Sequence, residues 1–156
     1  MQGGLSIFLV AILAAALIAA VVLDLRSRLI PNLLTCGIAL LAIPFWWSAG
    51  LAPWPDVAIR VGVAALVLGL FSIAFMLRMM GGGDVKLLAA VALWLPPGAV
   101  IFLVVLMSIA GGVLTAAMLI RQRLKRSGDK PEIPYGVAIA FSGLWLIGER
   151  FLNQFG

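Results

Sequence analysis

Hydrophobic positions in this chain do not alternate with polar ones. They gather into six long runs, parted by short polar or Pro/Gly-rich joints. A helix needs about 20 predominantly apolar residues to cross a bilayer. The runs therefore predict about six transmembrane helices: Leu5 to Leu23, Leu33 to Ala49, Val57 to Leu77, Asp84 to Leu95, Ala99 to Ile120 and Ile133 to Phe151. The fourth is short and is stopped by Pro96-Pro97. Pro31 suits the first turn of the second helix, where its missing N–H would be unpaired in any case. The expected fold class is an all-α, polytopic membrane bundle, a single domain over residues 1–156 with no soluble domain attached.

Composition removes the alternative of a soluble fold. The chain is 64% hydrophobic with a mean hydropathy of +1.20, and only 11% of it is charged, against about 25% in a soluble domain. So much apolar surface has no interior to enter, and lipid must solvate it. The net charge of +5 and pI of 10.4 would hint at nucleic acid in a soluble protein. Here no basic surface interleaved with aromatics supports that partner, and the basic residues read instead as topology. Nine of the eleven (Arg26, Arg28, Arg78, Lys86, Arg121, Arg123, Lys125, Arg126 and Lys130) fall at one end of the predicted spans, with Arg60 and Arg150 at the other. The positive-inside rule places the nine in the cytoplasm and both termini outside. The N-terminus lacks the basic region of a secretory signal, so the first run is expected to be retained.

The missing residue types narrow the chemistry further. There is no histidine, and the one cysteine is Cys36. Ser-His and Cys-His nucleophiles, a His/Cys zinc site and an internal disulfide are all ruled out. No metal or cofactor is expected. What remains is a pair of acids. Asp24 ends the first run, and Asp84 follows Gly81-Gly82-Gly83 at the mouth of the fourth. An acid at the centre of a membrane helix costs about 2.5–3.5 kcal/mol on insertion scales, so an acid beside a span is a functional candidate by default. The first helix runs inward to Asp24, the next two go out and return, and the fourth starts at Asp84. Parity thus places both acids at the same end, near the cytoplasmic face.

Two carboxylates in one site cannot both ionise easily and come to share a proton. One can then deprotonate a water while the other polarises a peptide carbonyl, a hydrolysis without a covalent intermediate. Asp84 opens a helix, whose free N–H groups and dipole favour its charged form. Gly81, Gly82 and Gly83 offer backbone freedom and close approach, which would leave room for an extended substrate. Singly, each acid has a plainer reading: Asp84 as a helix N-cap, Asp24 as a solvated acid beside Arg26 and Arg28. Lys86 reads as an interfacial residue whose ammonium snorkels to water.

These strings resemble a known family. Gly81-Gly82-Gly83-Asp84 is similar to the Gly-x-Gly-Asp signature of intramembrane aspartyl proteases. Asp24 to Asn32, ending Ile30-Pro31-Asn32, resembles the first-aspartate motif of prepilin peptidases, the type IV leader peptidase family. Asp84-Val85-Lys86 resembles the continuation of their second motif, and Pro134-Tyr135-Gly136 their C-terminal Pro-x-Gly element. The resemblance implies an aspartic endopeptidase of the bacterial inner membrane. Such an enzyme cuts a short basic leader from pilin-like precursors (prepilins or pseudopilins) at the cytoplasmic face and serves a pilus or secretion machinery. Asp24 and Asp84 would be its catalytic dyad. Gly81, Gly82 and Gly83 would shape the loop bearing Asp84. Pro31, Asn32, Lys86, Pro134, Tyr135 and Gly136 would help shape the site or meet substrate, and Asp129 and Glu132 would meet the basic leader. Larger members carry a cytoplasmic region with paired cysteines and N-methylate the trimmed pilin. Neither the cysteine pair nor a loop of that size is found here, so a peptidase without methyltransferase activity is expected, resembling the small enzymes of tight-adherence (Flp-type) pili.

Two other classes use intramembrane acids. One is a small proton-coupled transporter, for which inverted repeats would speak; the unequal basic loops show none. The other is a structural subunit of a pilus or secretion assembly, with the acids as interhelical links. A presenilin-like enzyme would carry Tyr-Asp and Pro-Ala-Leu, where this chain has Leu23-Asp24 and Pro134-Tyr135-Gly136.

Overall fold

The computed structural model describes residues 2–125 and 133–155. Every regular element among them is helical: α1 (Gln2–Ser27), α2 (Asn32–Ser48), α3 (Ala58–Met76), α4 (Gly82–Ala92), α5 (Pro97–Lys125) and α6 (Tyr135–Phe155). A wide turn, Pro53–Val57, leads into α3. Three helical stretches are long and apolar enough to cross a bilayer: Gly3–Ser27, Pro53–Met76 and Pro97–Lys125. The six predicted helices are all present. Pro31 stands at the N-cap of α2, one residue ahead of the first turn.

The helices form a bundle with α4 at its centre. α4 packs on α2, α3 and α6; α1 lies between α2 and α6; α5 leans on α6. Large apolar side chains such as Phe8, Leu33, Leu66, Ile101 and Val113 face outward, as a lipid-solvated exterior requires. On α1 the inward stripe is Leu9, Leu13, Leu17, Ala20 and Asp24, a helical spacing of three and four. Asp24 is thus the last member of a core-facing row.

Helix α4 is inside-out relative to its neighbours, since nearly all of it from Asp84 to Ala92 is buried. With 11 residues it rises about 16 Å and stops within the bundle. The last carbonyls of a helix have no intrahelical partner, and here other helices supply them. The Trp46 indole N–H of α2 donates to the Leu93 carbonyl at 2.9 Å. The Arg60 guanidinium of α3 donates to the Trp94 carbonyl at 3.1 Å. Trp94 in turn donates its indole N–H to the Ile38 carbonyl at 3.0 Å and stacks on Phe45, centroids 4.8 Å apart. Arg60, read from the sequence only as an outer-face charge, closes the helix that carries Asp84.

Candidate active site

Three segments distant in sequence build the site. The end of α1 supplies Asp24, the start of α4 supplies Asp84, and the start of α6 brings Tyr135 and Gly136. Asp24 and Asp84 are buried to 4% and 8% exposure, yet both line one cavity of about 460 Å³, with Arg28, Arg78, Met80 and Tyr135 among its walls. Sixty residues apart in sequence, the two acids share one end of the bundle.

Each carboxylate is held by backbone. Asp24 Oδ2 accepts the Val137 N–H at 3.1 Å. The Gly136 amide lies within electrostatic reach of both acids, and Asp84 senses the charge of Asp24. Asp84 is the third residue of α4, not its cap; Gly81 holds the N-cap position. The Asp84 carboxylate turns back over Gly81, so that a Cβ on Gly81 would lie 3.1 Å from Oδ2. This is the geometry of an N3 acid serving the N-cap amide. Fixed N–H groups that stabilise negative charge leave the carboxylates oriented without spending their remaining oxygen lone pairs.

The glycines act by size here. None of Gly81, Gly82 and Gly83 has a positive φ, so backbone freedom is not what they provide. A Cβ on Gly82 would meet the Phe75 ring at 3.2 Å, and one on Gly83 would meet the Ile30 Cβ at 3.1 Å and its carbonyl oxygen at 3.2 Å. The chain that approaches the glycine run is therefore this molecule's own Ile30. Gly136 is tighter: its Cβ would fall 2.7 Å from Ile30 Cδ1 and 2.8 Å from Asp24 Oδ2. Ile30, buried at 8% exposure, is the plug on which all three segments close.

The other residues singled out from sequence divide between the cavity and its surroundings. Tyr135 lines the cavity and packs its ring against Gly111 of α5. Pro134 is buried just ahead of it, and Pro31 and Asn32 are exposed; none of the three is among the residues lining the cavity. Lys86 donates to Asn32 Oδ1 at 2.9 Å, fastening the glycine–aspartate segment to the Pro31-Asn32 corner instead of entering the cavity. Asp129 and Glu132 lie outside the described residues.

Sequence reasoning missed Ile30, Phe75, Met80, and the roles of Arg28 and Arg78. Both arginines follow helix ends and take φ near +55° (55° and 57°), the left-handed conformation that usually ends a helix with glycine. A non-glycine residue there costs roughly 1–2 kcal/mol, and both arginines border the cavity of the two acids. Two apolar residues, Leu29 and Ile30, stand between Arg28 and Pro31, and the sequence does not tell which of them turns inward.

The profile described as the type IV leader peptidase family matches residues 11–116, a span holding both Asp24 and Asp84. A protein named prepilin leader peptidase/N-methyltransferase from Aeromonas salmonicida (strain A449) is 31% identical over 139 residues, covering 86% of this chain and 46% of that protein. One of the same name from Dickeya chrysanthemi is 30% identical over 153 residues, covering 91% and 50%. The chain spans about half the length of these relatives. No solved structure matches it. With a family match over most of its length, the chain belongs to the type IV leader peptidase family.

Proposed function

We propose that this chain is an aspartic endopeptidase that removes the leader from prepilins or pseudopilins, with Flp-type pilins as the substrate class. The observation that carries the reading is the pair of buried acids, Asp24 and Asp84, facing one cavity in a member of a leader peptidase family.

The chemistry follows from the pair. With one proton between them, the ionised carboxylate takes a proton from a water molecule. The resulting oxygen attacks the scissile carbonyl, whose oxygen takes the proton of the other acid. The gem-diol intermediate then collapses: one hydroxyl returns its proton to the second acid as the C=O re-forms, the C–N bond breaks, and the amine leaves with a proton from the carboxyl that received one from water, which restores the one-proton pair. The reaction needs no metal or cofactor. We place it at the cytoplasmic face of a bacterial inner membrane, with both termini outside, on the asymmetry of the basic loops. Leader cleavage alone is proposed for these residues, not methyl transfer.

The test is co-expression with a Flp-type prepilin, followed by mobility shift, for the parent, Asp24→Asn and Asp84→Asn. Asparagine keeps the shape and much of the hydrogen bonding but cannot cycle a proton. Cleavage by the parent and by neither variant is expected. Cleavage that survives either substitution refutes the dyad. A parent inactive on prepilins of several types, with the variants also without phenotype, returns the chain to the transporter and assembly-subunit readings.

A further inference from the structure

A second cavity, of about 530 Å³, opens on the flank of the bundle between α3 and α5. These two helices barely touch, so the cleft between them gives onto the surrounding lipid. Its floor is continuous with the cavity of the two acids, because Met79, Met80 and Tyr135 line both. On the α5 side, Leu103, Met107 and Gly111 are buried, and Gly111 packs against Tyr135 of α6. The adjoining row, Ser108, Gly112 and Ala116, is left exposed along the cleft. Small side chains four residues apart let a second helix approach closely in lipid, where packing rather than the hydrophobic effect drives association. Methionines on the remaining wall adapt to irregular partners.

A rival cleft lies between α2 and α3, over α4, and includes Cys36, Ala64 and Lys86. It shares no lining residue with the cavity of the two acids. Of these two clefts among the described residues, the α3–α5 cleft is the one that shares its walls with the cavity of the carboxylates.

We propose that the α3–α5 cleft is the docking surface for the apolar helix of the precursor, seated on Ser108, Gly112 and Ala116, with the bond to be cut delivered past Met79 and Met80. The proposal rests on the leader peptidase reading. The helix remains in lipid, and the polar segment preceding it reaches the acids without crossing the bundle.

Two measurements test it. In the uncut Asp24→Asn, Cys36→Ser background, single cysteines at Gly112→Cys or Ala116→Cys are oxidised with copper phenanthroline against a prepilin carrying one cysteine near the start of its apolar helix. Disulfide adducts at both positions are expected. The Asp24→Asn chain that keeps Cys36 reports the rival cleft and should give none. Separately, Gly112→Leu should raise KM for full-length prepilin about tenfold or more, the scale set by misfilling an apolar pocket. A Cβ at Gly112 meets nothing within 4 Å, so the fold has room for it, and Gly69 on the outer side of α3 is equally open. Gly69→Leu should therefore match the parent. Adducts through Cys36 in place of positions 112 and 116, or an unchanged KM in Gly112→Leu, overturn the docking surface while the parent still cuts. A parent that leaves the prepilin uncut overturns the peptidase reading, and the docking surface with it.

Discussion

Gly136 is the position at which the site can be disturbed by one methyl group. A Cβ there would lie 2.8 Å from Asp24 Oδ2 and 2.7 Å from Ile30 Cδ1, whereas ordinary contact begins at 3.4 Å. The Ile30 methyl is the end of a flexible side chain and can swing aside. The carboxylate cannot, because the Val137 N–H holds it at 3.1 Å. Restoring ordinary contact moves Oδ2 by about 0.6 Å, and a move directed away from α6 stretches the hydrogen bond beyond useful range. Misplacing a reacting group by about 1 Å costs on the order of a hundredfold, so Gly136→Ala should lower kcat by roughly ten- to a hundredfold. Overpacking should also cost about 1–3 kcal/mol of stability. The same helix contains its own controls. Gly143→Ala meets two methyl tips, Leu17 Cδ1 and Val91 Cγ1, both at 3.3 Å, and Gly148→Ala meets nothing. The latter should gain about 0.5–1 kcal/mol from better helix propensity. Prepilin cleavage kinetics in detergent, with thermal unfolding of the same samples, checks the series. The reasoning fails if Gly136→Ala keeps the parental kcat, or if Gly148→Ala loses as much as Gly136→Ala does.

Three further outcomes are expected. The pH dependence of kcat/KM should be bell-shaped with two apparent values belonging to the pair; a profile with a single limb in the parent would show that only one of the acids takes part. A double-mutant cycle of Lys86→Met and Asn32→Ala should give a coupling of about 0.5–1.5 kcal/mol in thermal unfolding, and purely additive losses would mean that their 2.9 Å bond does not tie the two segments. Trp46→Phe leaves the Leu93 carbonyl without its side-chain donor and should destabilise the protein by about 1–3 kcal/mol with kcat retained; an unchanged unfolding temperature would refute side-chain capping of α4.

Much of the architecture was legible because lipid imposes a simple rule on sequence. Apolar run length marked the six helices, and parity alone placed Asp24 and Asp84 at one end. The row Leu9, Leu13, Leu17, Ala20, Asp24 shows that even the inward direction of the first acid was written at helical spacing. Helix ends were less legible. α1 runs on to Ser27 past the predicted Leu23, since Asp24 finds an N–H partner on α6 and need not end the helix. α5 continues to Lys125 past Ile120, as polar residues beyond an apolar span can remain helical. Illegible were the contacts that depend on distant segments: Ile30 against Gly83 and Gly136, and Trp46 and Arg60 on the end of α4. The glycine run shows the difference well. Its composition suggested freedom of backbone and close approach of a chain; the φ angles take no such freedom, and the close approaches are those of Ile30, Phe75 and the carboxylate of Asp84.

The shortness of α4 has a consequence for how the protein is made. A segment of 11 helical residues covers about half of a hydrocarbon core roughly 30 Å thick, and it starts with an acid in its first turn. Such a segment has little reason to leave the insertion machinery for lipid by itself. Its terminal carbonyls are satisfied by α2 and α3, which are synthesised before it, whereas the face that meets α6 must wait until α6 has been made. Insertion of α4 should then be a docking event onto a half-built bundle, and the backbone N–H that fixes Asp24 beside it is supplied when α6 arrives.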